Sequence, residues 1–418
     1  MIQTIPLAPG VTLRCYEDTR FKQGRLTLQL VRPMCCEEAA LNALLPAVLL
    51  RGSKTCPDLR DITLRLDDLY GASVGTVVRR IGDYQTTGLT CSFIEDRFAL
   101  PGDAVLAPMA DFLRELLLAP VLENGAFRND YVEGEKRNLI AAIAAQKNDK
   151  RIHAANRLLT HMCGSDSYGI PRLGEIPDVE AITAKSLFDH YQKILSTSPV
   201  ELFYVGSFKA EQVVELLKPL CISQNPLVLP PQSLLKPAEP ADVREQMEIT
   251  QGRLCFGFTT TVSIRDADFA AMQVMNAVFG GGMTSKLFMQ VREKLSLCYD
   301  IGSSYYGSKG VITAAAGIEF SKRDLAQAQI LAQLEACRKG DITEKELLSA
   351  KQGIISQLQA THDSPSAIES YYATAALSGL PMTPVQYIRA VEQVRLADVM
   401  AVAETVKLHT VYFLEGEV

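Results

Sequence analysis

One supersecondary plan is written twice along this chain, and a fold must accommodate both copies. In the first copy Leu26, Leu28 and Leu30 alternate with Arg25, Thr27 and Gln29, the period-2 pattern of a half-buried strand. A helical apolar run over 37–50 follows, then Gly52-Ser53, a second helical stretch and Leu69-Tyr70-Gly71. A strand pair comes next, with alternation near Val74–Arg80 and Gln85–Phe93 around a turn at Gly82-Asp83. In the second copy Leu254, Phe256 and Phe258 alternate, a helix is expected over 266–279, and Gly280-Gly281-Gly282 precede another helix and Leu297-Cys298-Tyr299. Strands near 302–306 and 311–317 complete it. Gly52 and Tyr70 are 18 residues apart, Gly282 and Tyr299 are 17 apart, and so long a repeat indicates gene duplication rather than a solenoid.

Between the copies lies a proline-rich segment, 222–243, holding Pro226, Pro230, Pro231, Pro237 and Pro240. Proline fixes φ and removes a donor, so this segment is expected to be an extended, semi-rigid linker between domains 1–221 and 244–418. A chain of 418 residues also exceeds one ordinary core. The remainder is helix-rich: helices are expected over 104–118, 129–161, 183–195, 322–338, 343–361 and 365–377, with Thr183 and Thr343 at N-cap positions. Strands near 200–205 and 410–415 close each half. Hairpins followed by helices spell an α+β fold: two homologous domains, each a mostly antiparallel sheet layer backed by helices.

A formal charge of -6 leaves no basic footprint for nucleic acid. No apolar run reaches the roughly 20 residues a membrane helix needs, and Met-Ile-Gln-Thr-Ile-Pro does not open like a signal peptide. The ten cysteines are scattered without a C-x-x-C pair, which suits free buried thiols in a reducing, cytoplasmic setting. The five histidines form no i,i+4 pair, and the eight residues from His153 to His161 span about 12 Å along a helix, too far for one zinc.

Three segments carry a family resemblance. Residues 41–54, Leu-Asn-Ala-Leu-Leu-Pro-Ala-Val-Leu-Leu-Arg-Gly-Ser-Lys, resemble the inverted zinc segment of the pitrilysin/insulinase peptidases, H-x-x-E-H ahead of a short basic-Gly-hydroxyl turn. In that family two histidines on one helical face hold Zn²⁺ and the Glu takes a proton from the metal-bound water. Here the histidine positions are Ala43 and Ala47 and the Glu position is Pro46. Proline inside a helix costs ~3 kcal/mol, so a kinked or broken helix is expected. Residues 133–143 are similar to the family's third-ligand helix: Glu135 matches its earlier Glu, and Ala142 falls on the ligand. Taken alone, the first segment reads as a plain buried helix and Glu135 as a surface residue paired with Lys or Arg.

The third segment, Gly280 to Lys294 with Tyr299, resembles the family's second-half signature of a glycine loop, Ser-[Arg/Lys]-Leu-Phe, Arg-Glu-Lys and a Tyr seven after the Arg. That resemblance implies that Arg292 and Tyr299 hold a substrate backbone and stabilise an oxyanion, a task suited to a fixed cation and a phenol donor. Their plain alternative is an Arg paired with Glu293 or Asp300 and a half-buried Tyr. Gly280, Gly281 and Gly282 are expected to allow positive φ and close approach by an extended peptide, and no phosphate-loop spacing accompanies them. Weaker matches at Tyr168–Gly174, Ile182-Thr183 and Glu346–Lys351 extend the resemblance over nearly the whole chain.

The resemblance implies a subunit that holds no metal, with zinc expected in a partner. Such a chain pairs with a zinc-bearing homologue and helps it bind and cleave an extended peptide. A different reading is a purely structural or assembly subunit, for which Arg292 and Tyr299 do not matter. A third, catalysis by another nucleophile such as Cys298, has no His/Asp arrangement in the sequence to support it.

Overall fold

A computed structural model describes residues 2–220 and 222–417. Two compact units form. One comprises the residues through Ala144, Ile170–Pro231 and His362–Thr374; the other comprises Ala145–Gly169, Gln232–Thr361 and the residues from Ala375 onward.

The strands in chain order are β1 (Ile2–Ala8), β2 (Val11–Glu17), β3 (Gln23–Pro33), β4 (Ser73–Ile81), β5 (Tyr84–Ile94), β6 (Leu122–Glu123), β7 (Ala126–Phe127), β8 (Val200–Gly206), β9 (Ala241–Met247), β10 (Gly252–Thr259), β11 (Cys298–Tyr306), β12 (Val311–Ile318) and β13 (Lys407–Gly416). The first unit holds a six-stranded sheet in the order β1-β2-β8-β3-β5-β4, with β6 and β7 forming a separate two-stranded ladder. All its pairings are antiparallel except β2 with β8. Leu26, Leu28 and Leu30 are fully buried, in one core with Leu44 and Val48 of the helix Cys36–Leu49, Met109 and Leu113 of the helix Leu106–Leu118, and Leu187 of the helix Ala184–Thr197. The alternating residues Arg25, Thr27 and Gln29 fall on the other face of the sheet, the period-2 consequence of the strand.

The second unit repeats the plan with five strands in the order β11-β12-β10-β13-β9, where β9 runs parallel to β13 and the other pairs are antiparallel. Leu254, Phe256 and Phe258 are fully buried. The two-domain α+β reading therefore holds, with helices and a mostly antiparallel sheet in each unit.

The domain limits follow a different course from the linear 1–221 and 244–418 division. The passage between units falls at Pro231–Gln232, inside the proline segment, and β9 begins at Ala241, directly after Pro240 and before the expected linker end at 243. Residue 221, where the first domain was expected to end, lies outside the described residues. Each unit also takes in a segment from the opposite half of the sequence. The helix Lys150–Cys163 belongs to the second unit because its apolar stripe, Ala154 and Leu158, packs with Cys255, Tyr412 and Leu414 of β10 and β13. The expected single helix over 129–161 is two, Asn129–Asn148 and Lys150–Cys163, because Asp149 turns extended and its carboxylate accepts from the amides of Arg151 and Ile152. Thr183 and Thr343 cap their helices as the sequence indicates.

Among the described residues no helix is long and apolar enough to cross a membrane.

Candidate functional site

The metal-position helix starts after extended Cys35, with Glu37 and Glu38 in its first turn, where the helix dipole favours acid. It is not broken: it runs continuously from Cys36 through Pro46 to Leu49. Pro46 deprives the Asn42 carbonyl of its amide donor, and Thr87 Oγ1 of β5 donates to that carbonyl instead, at 2.6 Å. Ala43 and Pro46 are buried and Ala47 is half-buried.

A closed polar network lies beside the substituted positions. Asn42 is fully buried; its Nδ2 donates to Gln85 Oε1 at 2.9 Å, and its Oδ1 lies 2.8 Å from His190 Nε2. Because an amide oxygen only accepts, His190 donates from Nε2. Gln85 Nε2 in turn donates to the carbonyls of Ala39 and Arg172. Burial pushes the His190 imidazole down to about 4, against a partial counter-effect from Glu38, so the ring is neutral near pH 7. For Glu38, burial alone would raise the carboxyl. Hydrogen bonds from Arg32 (2.8 Å to each oxygen) and Lys193 (2.7 Å) outweigh it and hold Glu38 at about 2.

Ala142 is exposed on the helix Asn129–Asn148. Glu135 on the same helix is engaged by Arg51 Nη1 at 3.2 Å and by Asn138 Nδ2 at 3.0 Å. Zinc does not fit this donor set. Three methyl groups and a pyrrolidine ring offer no lone pair, and among the described residues no three His, Cys, Asp or Glu side chains converge elsewhere. Positions 43, 46, 47 and 142 thus offer neither a ligand for a metal nor a base to deprotonate water.

The second unit places the other predicted residues together. The helix Phe269–Phe279 ends at Gly280, and a π-helix, Leu287–Lys294, leads into β11. None of Gly280, Gly281 and Gly282 has a positive φ, contrary to the expectation from sequence. Two of them serve close packing. A Cβ on Gly280 would lie 2.6 Å from Ser303 Oγ and 2.7 Å from Leu287 Cδ1, and one on Gly281 would lie 2.8 Å from Ala277 Cα. The Gly280 carbonyl accepts from the Ser303 amide at 2.9 Å, which seats β11 against the loop.

Arg292 rides on the π-helix. Its Nε donates to the Tyr299 carbonyl at 2.9 Å, its Nη1 pairs with Glu293 at 3.0 Å, and its guanidinium lies 4.5 Å from the Phe288 ring centroid. Asp300, the other partner considered, pairs with Arg253 instead. The Tyr299 side chain is not half-buried: the residue is 62% exposed, and among the described residues its hydroxyl has no partner. Arg292, Ser296, Leu297, Tyr299 and Glu319 line an open pocket of about 330 Å³. The guanidinium is thus held at two of its five N–H groups, and the phenol of Tyr299 lines the same pocket. Cys298 is an unsuitable nucleophile: burial, reinforced by Asp300, pushes its thiol up to about 11.

The Asn42–Gln85–His190 network and a buried carboxylate at Glu369 were missed in the sequence. Glu369 is held bidentately by Arg79 at 2.8 Å, with Arg25 Nε at 3.7 Å and Gln29 Nε2 at 3.5 Å. No local pattern could have found it, because 290 residues separate Glu369 from Arg79.

A family model described as the peptidase M16 inactive domain matches residues 181–354. A Bacillus subtilis (strain 168) protein named probable inactive metalloprotease YmfF is 30% identical over 409 residues, spanning 97% of this chain and 96% of that protein. The crystal structure of a conserved protein from Enterococcus faecalis V583 superposes with a TM-score of 0.92 at 28% identity, covering 100% of this chain and 99% of the other. The structure of a peptidase M16 inactive domain from Pseudomonas fluorescens shares the fold, with a TM-score of 0.81 at 17% identity over 100% and 98% of the two chains.

Proposed function

The chain belongs to the M16 peptidase family as an inactive member, and from that premise we propose that it is the non-catalytic subunit of a two-chain zinc peptidase. Metal and general base come from a zinc-bearing homologue. This chain supplies Arg292 and Tyr299 to an extended peptide bound by the pair. The observation that carries the reading is the contrast between the two sites: the metal positions are methyl groups and a ring, whereas Arg292 is anchored on the Tyr299 carbonyl and the exposed Tyr299 hydroxyl has no partner among the described residues. A positioned cation and a phenol donor suit charge developing on a scissile carbonyl oxygen. The nine described cysteines are all free, which fits a reducing, cytoplasmic setting.

The test is affinity capture of the tagged chain from its own cells, zinc analysis of the captured complex, and peptidase assay with Arg292→Ala and Tyr299→Phe. The expected result is a zinc-bearing partner and a loss of about 10²-fold in kcat for Arg292→Ala, the scale of one oxyanion donor. Undiminished activity of both variants would overturn the reading and assign the chain an assembly role.

A further inference from the structure

The face of the π-helix away from Arg292 borders a larger cavity that the proposed peptide site does not use. It holds about 680 Å³, within the range of small-molecule sites. Met289, Gln290 and Lys294 of the π-helix form one wall, Ala332, Gln333 and Ala336 of the helix Arg323–Lys339 form a second, and the start of the helix Glu344–Ala360 forms a third. The short side chains of Ala332 and Ala336 leave the room. All of these residues belong to the second unit.

The chemistry of the lining is asymmetric. Lys286, on the lining, is only 5% exposed, and among the described residues its ammonium has one partner, Glu346 Oε1 at 3.0 Å. An ammonium carries three donors, and a buried one is stable when they are filled. Glu346 is already occupied on its other oxygen, which accepts from the amide and hydroxyl of Thr343 in the capping box. Lys294 and Lys345 stand on the same lining and make no ion pair among the described residues. Three ammonium groups therefore face two carboxylates, Glu346 and Asp341, and the most buried of them, Lys286, has a single partner for its three donors among the described residues.

We propose that this cavity binds a carboxylate-bearing ligand, whose oxygens accept from Lys286 at the floor and from Lys294 and Lys345 at the rim. The aliphatic part of the ligand lies along Met289, Ala332 and Ala336. The site stands independently of the role given to Arg292, because its binding is read on the isolated chain without a peptidase partner.

Isothermal titration of the full-length chain with succinate, with a short acidic peptide bearing a free C-terminus and with inorganic phosphate tests it. Saturable binding of either carboxylate probe is expected. Succinate alone identifies a small acid as the occupant, and the peptide alone identifies a protein tail. Lys286→Met is expected to weaken binding about tenfold, the loss of one charge-assisted hydrogen bond. The surface pair Lys294→Ala/Lys345→Ala leaves the buried ion pair intact, so it serves if Lys286→Met does not fold, and it too is expected to weaken binding. Hydrogen exchange across 287–294 should slow when the probe is bound. Absence of carboxylate binding, phosphate binding without it, or affinity unchanged in the variants would overturn the proposal.

Discussion

Thr87 donates its hydroxyl proton to the Asn42 carbonyl at 2.6 Å, filling the vacancy that Pro46 creates one helical turn later. A helix can carry an interior proline when a neighbouring strand supplies the missing donor. Thr87→Val keeps the shape and removes that donor, leaving a buried carbonyl unsatisfied. Chemical denaturation should show a loss of about 1–3 kcal/mol. Pro46→Ala restores an amide at the same carbonyl, so it should recover much of the loss in the Thr87→Val background; a recovery no larger than its effect in the parent chain would refute the compensation.

Acid should destabilise the fold in two stages. The unfolded chain protonates His190 near 6.5, but the folded chain resists until about 4. The stability from a neutral His190 is thus full above pH 6.5 and is lost as pH falls from 6.5 toward 4, at up to about 1.4 kcal/mol per pH unit. Glu38 is shifted from 4.5 to about 2, so its contribution is present above pH 4.5 and is lost below it. His190→Gln should flatten the upper stage in urea midpoints measured against pH and leave the lower stage in place.

Removal of the Glu369 carboxylate should cost more than a surface ion pair does. Glu369 is 1% exposed and anchors the segment His362–Thr374 to Arg79 and Arg25 of the first sheet. Glu369→Gln leaves a guanidinium pair without its counter-charge, and a loss of about 3 kcal/mol is expected. A shift in melting temperature no larger than that of Asp111→Asn, from an exposed helical pair, would contradict this.

Zinc should be absent from the purified chain at any stoichiometric level. A chelator should leave both its melting temperature and its inability to cut peptides unchanged. One tightly held zinc per chain by elemental analysis would show that donors other than positions 43, 46, 47 and 142 had been recruited.

Thiol reactivity should follow exposure. Cys36 is the exposed member of the nine described cysteines, whereas the buried Cys298 thiol is raised to about 11. Maleimide at neutral pH, followed by peptide mapping, should modify Cys36 well before Cys298.

Much of this architecture is legible in short-range pattern. The Leu26-Leu28-Leu30 alternation locates β3, and Thr183 and Thr343 mark two helix starts, because these signals act within one strand or one turn. The strands β1 and β2 were not singled out, although Gly10, with φ +71, marks the turn between them. The π-helix reads as an ordinary helical segment, since Leu-Phe-Met-Gln has no local mark of an i→i+5 bond such as the one from the Leu295 amide to the Gln290 carbonyl. At the site, the family resemblance pointed to Arg292 and Tyr299 and marked Ala43, Pro46, Ala47 and Ala142 as chemically empty. It did not reveal that Arg292 grips the Tyr299 main chain. It also could not reveal the Asn42–His190 pairing, whose members lie 148 residues apart.

The assignment of Ala145–Gly169 to the second unit and His362–Thr374 to the first bears on how the polypeptide matures. As the ribosome proceeds, Ala154 and Leu158 emerge long before β13, and Arg79 waits nearly three hundred codons for Glu369. Neither half can finish its core during synthesis of that half alone. A polypeptide truncated at the proline segment would therefore retain an orphaned apolar helix and an uncovered arginine pair, and the gene cannot be divided there into two self-sufficient products.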